Sequence, residues 1–215
     1  MNDLVIFGAG YPDVIKLVSA INRAAPIWRM LGFIDELKAG KDADHMGIPI
    51  IGGAEKIAEL NKAGVYIFNN VFSSCANRAK VTEKLSKSGA RFASLIHPSV
   101  DLDHVSYGSG VMIMAGVQVG INTEIGDQTT LRANCFVSHE VRIGRNVFVG
   151  AGALVSGKVT IGDNVYIAVG SVIRDNVLIG ENSFVGAGAV VVSNVLPGTT
   201  VAGVPAKPLE ARHEE

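Results

Sequence analysis

Residues 138–140 of this 215-residue chain read Ser138-His139-Glu140. An imidazole beside a carboxylate is a proton-handling pair: near neutral pH the ring takes a proton from an attacking group, and the carboxylate orients the ring. Such a pair suits acyl transfer, in which an acceptor N–H or O–H attacks an activated carbonyl. Other residues have the spacing of binding surfaces. Ala151-Gly152, Val169-Gly170 and Ala187-Gly188 recur every 18 residues and carry no bulk. Gly8-Ala9-Gly10-Tyr11-Pro12, Asp35-Glu36 and Asn69-Asn70 each follow an apolar run.

The element that must carry His139 is a repeat. From Ile113 to Val191 every sixth residue is Ile, Val or Leu, fourteen consecutive positions. Periods of 3.6 or 2 do not hold that phase, whereas a β-solenoid does, with one short strand and one corner per repeat. Two residues earlier the side chains are small or β-branched, as at Thr129, Cys135, Ala153, Ser171 and Ala189. Both positions share a strand face and point inward. Three residues after each stop, ten of the thirteen positions from Asn122 to Asn194 are Asn or Gly, types that tolerate φ > 0 at a tight corner. Three hexapeptides close a triangular coil, so residues 18 apart stack on one edge. Against this pattern Glu140 occupies an Asn/Gly corner, and His139 is the only histidine of the regular repeat. Two residues beyond the inward Val137, its ring projects outward. Breaking a local rule in this way marks functional sites; the alternative is an exposed histidine without a role.

Residues 1–95 alternate strand and helix. Leu4–Phe7 is a buried strand, followed by a helix from Pro12 to about Arg23, whose first turn suits proline. Strands are expected at Met30–Ile34, Val65–Phe68 and Phe92–Ile96, with an extended piece at Gly47–Gly53. Helices are expected at Ala54–Lys62 and from about Cys75 to Ser86. That order predicts a small, mostly parallel α/β sheet. The strand ends at Gly8–Tyr11, Asp35-Glu36 and Asn69-Asn70 converge on its carboxyl edge, where open α/β sheets bind ligands; turn glycines and solvated acids are the plainer alternative. The third glycine of a dinucleotide fingerprint would fall at Asp13, so NAD is not expected. His97-Pro98-Ser99 punctuates the switch to the solenoid, residues 96–208, and a polar tail follows at 209–215.

A formal net charge of −1 argues against nucleic-acid or membrane-surface partners. No apolar run approaches the roughly 20 residues of a membrane span, and Met1-Asn2-Asp3 lacks a basic leader. Cys75 and Cys135 fall in different predicted domains, so no disulfide is expected. The chain reads as cytoplasmic.

The [LIV]-Gly pairs Val119-Gly120, Ile125-Gly126, Ile143-Gly144, Val149-Gly150, Ile161-Gly162 and Ile179-Gly180 resemble the left-handed β-helix acyltransferases. Pro197-Gly198 and Gly203-Val204-Pro205-Ala206-Lys207 are similar to the end of their coenzyme A site. The whole chain resembles one branch of them: the bacterial sialic-acid O-acetyltransferases and nucleotide-amino-sugar N-acetyltransferases. That branch shares Phe33-Ile34-Asp35-Glu36, Gly47-Ile48-Pro49-Ile50-Ile51-Gly52 and the segment from Asn134 to His139-Glu140. The resemblance implies acetyl-CoA as co-substrate, a left-handed helix, His139 as general base with Glu140 behind it, and a homotrimer with sites between subunits. It also implies that the Gly10-Tyr11-Pro12 turn, Glu36-Leu37 and Asn69-Asn70 touch a nucleotide-sugar acceptor. Gly157, Val169, Gly170, Ala187 and Gly188 would line the pantetheine channel, with Lys207 near the coenzyme's phosphates. Two departures bear on the acceptor: Tyr11-Pro12 stands where many relatives have Gly-His, and Phe68-Asn69 where Gly-Asn is usual. A third replaces a coenzyme-binding histidine by Phe148, leaving the thioester carbonyl to a backbone N–H of Gly150 or Gly157.

The resemblance predicts an acetyl-CoA-dependent N-acetyltransferase of an amino sugar, nucleotide-linked because in that branch the small sheet binds the nucleotide-sugar acceptor. An O-acetyltransferase of a free sugar such as a sialic acid is the alternative within the enzyme class. A non-catalytic sugar-nucleotide-binding or scaffolding protein would keep the repeat and have no use for His139-Glu140. A zinc enzyme of the γ-carbonic-anhydrase type needs three convergent histidines, where the regular repeat offers His139; no metal is expected.

Overall fold

The computed structural model describes residues 1–40 and 44–209; from residue 210 on, the expected polar tail lies outside the described residues. The chain divides into two compact units. One comprises Met1–Pro98 with Ser109–Val111, the other Ser99–Gly108 with the residues from Met112 onward. Ser109–Val111 joins the first unit because Leu95 donates its N–H to Val111 O at 2.8 Å and Val111 donates to Ser94 Oγ at 3.2 Å.

The first unit holds a six-stranded sheet in the order β3-β4-β2-β1-β5-β6. Its strands are β1 (Asn2–Phe7), β2 (Trp28–Ile34), β3 (Asp44–His45), β4 (Ile48–Gly52), β5 (Tyr66–Asn69) and β6 (Arg91–Phe92). All neighbours are parallel except the β3–β4 hairpin. Central β1 is sandwiched, and Leu4, Val5 and Ile6 are wholly buried. Helix α1 (Asp13–Ala24) buries Val14, Leu17, Val18 and Ile21, one stripe at helical spacing. Pro12 sits at its N-cap rather than inside it. Helix α3 (Cys75–Lys87) opens on Ser74, whose Oγ accepts the Asn77 N–H at 3.1 Å. Two expected elements differ. The helix expected at 54–62 starts as a 3-10 turn, Ala54–Lys56, before α2 (Ile57–Lys62). The strand expected at 92–96 is broken in two, β6 and Leu95–Ile96. Ala93 donates its N–H to Ile67 O and Leu95 donates to Val111 O, so the backbone changes partner between them.

The second unit is a left-handed parallel β-helix. Its two-residue strands pair in steps of 18, as Phe136 with Leu154 and Val137 with Val155. The inward pattern holds: thirteen of the fourteen sixth-residue positions are buried and Val119 is half-buried. Cys135, one of the inward small residues, is a free thiol like Cys75, and burial pushes it up to about 12. Corner residues turn with positive φ, Asn122 at +59°, Glu140 at +57° and Lys158 at +60° among them. Asn194 departs from the expected corner conformation. In this last, irregular coil its Oδ1 instead accepts the Leu178 N–H at 2.9 Å. One flat face carries a ladder of stacked rings, Phe148 on Tyr166 at 4.6 Å and Tyr166 on Phe184 at 4.9 Å, nearly parallel. A second face presents Phe136 and Leu154, and the third Glu124, Arg142 and Thr160.

Candidate active site

The hexapeptide register lifts residues 138–140 onto an edge because Val137 and Val141 both point inward and are fully buried. His139 and Glu140 are about half exposed there. The imidazole Nδ1 meets Glu140 Oε2 at 3.0 Å. With its proton on Nδ1 the ring donates to the carboxylate and presents the Nε2 lone pair for general-base work. The backbone is fixed from both neighbouring coils: Glu140 donates its N–H to Ile121 O at 3.0 Å, and Lys158 donates its N–H to His139 O at 3.1 Å. Thr123 Oγ1 donates to Ser138 O at 2.9 Å.

Directly under the ring lies Gly157, one coil on. A Cβ there would come within 2.9 Å of His139 Nε2 and 3.0 Å of Cε1, so any side chain at 157 would push the ring out of this position. Gly157 O accepts the Asn176 N–H, while its own N–H has no acceptor among the described residues. Gly150, the other glycine considered for a thioester oxygen, donates its N–H to Ile167 O at 2.7 Å. It is committed to the ladder. Phe148, where the resemblance led to a histidine being expected, is the first ring of the aromatic ladder.

A second edge is bare. Ala151, Val169 and Ala187 are exposed along it. Gly152, Gly170 and Gly188 turn at φ +64°, +66° and +63° with nothing within 4 Å of a would-be Cβ. Glycine is there for its backbone, not for lack of room. This edge and the His139 edge are different corners of one coil, so a single solenoid does not bring them together. Lys207 is exposed beside a cavity of about 370 Å³ at the C-terminal end of the solenoid, floored by Val191, Val195 and Val201.

In the first unit three loops meet at the carboxyl edge of the sheet. Asp35 ties the first two: Oδ2 accepts the Ala9 N–H at 2.9 Å, and Oδ1 accepts the Leu37 and Lys38 N–H groups at 3.0 and 3.2 Å. Asn70 ties the third to the first by donating its amide to Gly8 O and Tyr11 O at 2.9 and 3.0 Å. Asn69 donates to Arg78 O and Thr82 Oγ1 and accepts the Val71 N–H. Both asparagines are buried, at 0% and 1% exposure. Their amides shape the loops rather than reach outward, unlike exposed Gly10, Tyr11, Pro12, Glu36 and Leu37. Arg78, also buried, donates to Asn69 O and stacks over Phe72, which in turn meets Tyr11 edge-on at 5.1 Å. Burial lowers the Arg78 guanidinium to about 9. Glu36 is paired with Lys84 at 2.6 Å.

Sequence reasoning passed over the bracing role of Asp35 and Arg78. Asp35 was in view as the end of the second strand, but which backbone groups it ties is a tertiary fact. Lys158 was also passed over, although its signal was there: it falls 18 residues after Glu140 at the same Asn/Gly corner.

Residues 122–157, 140–175 and 158–193 each match the family described as bacterial transferase hexapeptide (six repeats). The chain carries transferase hexapeptide repeats. Among solved structures it is similar to PerB of Caulobacter crescentus, in complex with CoA and GDP-perosamine. That likeness has 28% identity, a TM-score of 0.86 and 98% coverage of both chains. It is also similar to the acetyltransferase domain of PglB from Neisseria gonorrhoeae in complex with acetyl coenzyme A. Here the identity is 28% and the TM-score 0.86, over 97% of this chain and 100% of that one. WeeI of Acinetobacter baumannii, 23% identical with a TM-score of 0.81 and 97% coverage of this chain, shares the fold. No curated protein matches the chain. The resemblance to the left-handed β-helix acyltransferases thus extends over both units. Among the described residues no helix is long and apolar enough to cross a membrane.

Proposed function

We propose that this protein transfers the acetyl group of acetyl-CoA to the amine of a nucleotide-linked amino sugar. The observation that carries the reading is the outward His139–Glu140 pair, 3.0 Å apart, against a glycine whose N–H has no acceptor among the described residues. It is supported by likeness to PerB, whose structure holds CoA and GDP-perosamine, and to PglB, whose structure holds acetyl coenzyme A. The sugar's neutral amine attacks the thioester carbonyl. A C–N bond forms, His139 Nε2 takes the amine proton, and the C–S bond breaks as the coenzyme leaves as thiolate and regains a proton. Glu140 holds the ring with Nε2 outward and balances the imidazolium. We assign the Gly157 N–H, next to the ring in the neighbouring coil, as donor to the developing oxyanion.

The coenzyme lies along the bare edge of Val169, Gly170, Ala187 and Gly188, its phosphates toward Lys207. The acceptor sits on the loops of Gly10, Tyr11, Pro12, Glu36 and Leu37, which Asp35, Asn69 and Asn70 hold in place. Because His139 and the bare edge occupy different corners, the reading requires neighbouring copies, and we assign a homotrimer. A fully active monomer by light scattering refutes the trimer. We assign the reaction to the cytoplasm; among the described residues there is no helix long and apolar enough to cross a membrane. The deciding experiment measures thiol release from acetyl-CoA against a panel of nucleotide-linked amino sugars, the free amino sugars and sialic acid. Release with a nucleotide-linked amine and amide formation in the product are expected. Turnover with sialic acid alone makes the enzyme an O-acetyltransferase, and no turnover with any acceptor sinks the reading.

A further inference from the structure

The corner that turns at Glu140 is repeated in five coils, by His104, Asn122, Glu140, Lys158 and Asn176, with φ between +57° and +60°. Asn is the ordinary occupant of such a turn. A long charged side chain gains nothing there from the backbone and carries the strain of a left-handed conformation. Lysine nonetheless stands one coil beyond the glutamate, and the two meet: Lys158 Nζ is 3.8 Å from Glu140 Oε2. That oxygen is the one that holds His139 Nδ1. Both partners are about half exposed, and exposed ion pairs add little to stability. Stability is therefore a poor reason for the substitution. Lys158 also holds His139 through the backbone, its N–H on the His139 carbonyl, and it follows Gly157, whose missing side chain gives the imidazole its room. The two residues beneath the ring thus set its carbonyl, its clearance and its partner.

We propose that Lys158 is a positioning residue completing a Lys158–Glu140–His139 relay, in which the ammonium keeps the carboxylate on Nδ1 so that Nε2 faces the acceptor. This rests on His139 being the base. The lysine touches neither acceptor nor coenzyme and acts only through Glu140.

The test replaces Lys158 by Asn, the residue of the flanking coils, and by Arg, with His139→Ala and Glu140→Gln measured beside them. Lys158→Asn is expected to keep or raise the melting temperature, since it relieves the turn. It should lower kcat roughly two- to fivefold, the kinetic equivalent of an exposed pair, with both KM values unchanged. Lys158→Arg should recover most of the loss. In a Glu140→Gln background Lys158→Asn should cost nothing further, because the link it served is gone. Wild-type kcat in Lys158→Asn overturns the proposal, as does a loss confined to the acceptor KM, which would put the ammonium on the acceptor. A loss that adds in full to that of Glu140→Gln overturns it too. If His139→Ala itself turns over normally, the base assignment has failed, a result separate from any of these.

Discussion

The His139 edge and the Gly170 edge of the solenoid share one backbone. Glu140 turns at φ +57° and Gly170 at +66°, and both corners donate an N–H to the coil before: Glu140 to Ile121 O and Gly170 to Ala151 O, each at 3.0 Å. Their side chains divide the work. One edge stacks Ile121, His139 and Gly157 with Glu140 and Lys158 beside them; the other stacks Ala151, Val169 and Ala187 with glycines alone. A repeat that takes its fold from inward residues leaves its corners free to vary. Chemistry and a smooth channel can then be written on the same scaffold without altering its core.

The comparison breaks most sharply at His139. His139→Ala should lower kcat by roughly 10²–10⁴-fold, the usual worth of a positioned base. The KM for acetyl-CoA should hardly move, since the ring acts on the acceptor's proton. Steady-state kinetics across the pH range check this, and near-normal turnover throughout would make the corner an ordinary surface.

The bare edge is tested by filling it. Ala187→Trp adds bulk one position before the left-handed Gly188 and so avoids its backbone demand. The variant should fold normally by circular dichroism and raise the KM for acetyl-CoA about tenfold or more, with a much smaller effect on the sugar, as expected for loss of coenzyme binding alone. Unchanged coenzyme kinetics would put the pantetheine elsewhere.

Glu140→Ala sharpens the first edge, with a loss of about tenfold, smaller than that of His139→Ala because the carboxylate only orients and polarises the ring. The double variant His139→Ala/Glu140→Ala should be no worse than His139→Ala, since nothing is left to tune. Full additivity would mean that Glu140 acts on its own.

The third edge is the control, and the smallest effect is expected there. Arg145 and Asp163 pair across one coil at 2.8 Å. Burial works against the Asp163 carboxylate, but the Arg145 N–H and guanidinium outweigh it and hold the group below its usual range. A depressed carboxylate contributes stability above its unfolded-state value and loses it as pH falls through the folded one. Asp163→Asn should therefore lose at most about 1 kcal/mol at pH 7, keep full activity, and melt with wild type once the pH has fallen below the folded-state value of Asp163. Altered acetyl transfer in this variant would mean that the edges are not independent.

Much of this was legible from residue types. The six-residue phase from Ile113 to Val191 translates directly into burial, because a side chain's inward or outward sense follows from its place in the hexapeptide. The same counting put His139 on an edge and Glu140 at a left-handed turn. The acceptor loops were read less well, for a physical reason. Asn69 and Asn70 end a strand, as binding residues often do, yet whether an amide faces ligand or its own chain depends on loops 60 residues away, such as the Gly8 and Tyr11 carbonyls that Asn70 reaches. The break between β6 and Leu95–Ile96 was hidden likewise, because Leu95 changes partner to Val111. The choice of Gly157 over Gly150 needed the ladder's hydrogen bonds.

The strict 18-residue step between paired strands, as from Leu131 to Val149 to Ile167, also sets which insertions and deletions this solenoid can absorb. Removing a single residue turns inward side chains outward everywhere downstream. Removing six keeps every inward residue inward but rotates all that follows by a third of a turn, carrying the later corners onto the wrong edges. Removing eighteen rotates nothing. Length variation in proteins built this way should accordingly come in whole coils, and a coil deleted beyond Lys158 would shorten the bare edge proposed for the coenzyme while leaving His139, Glu140 and Gly157 in register.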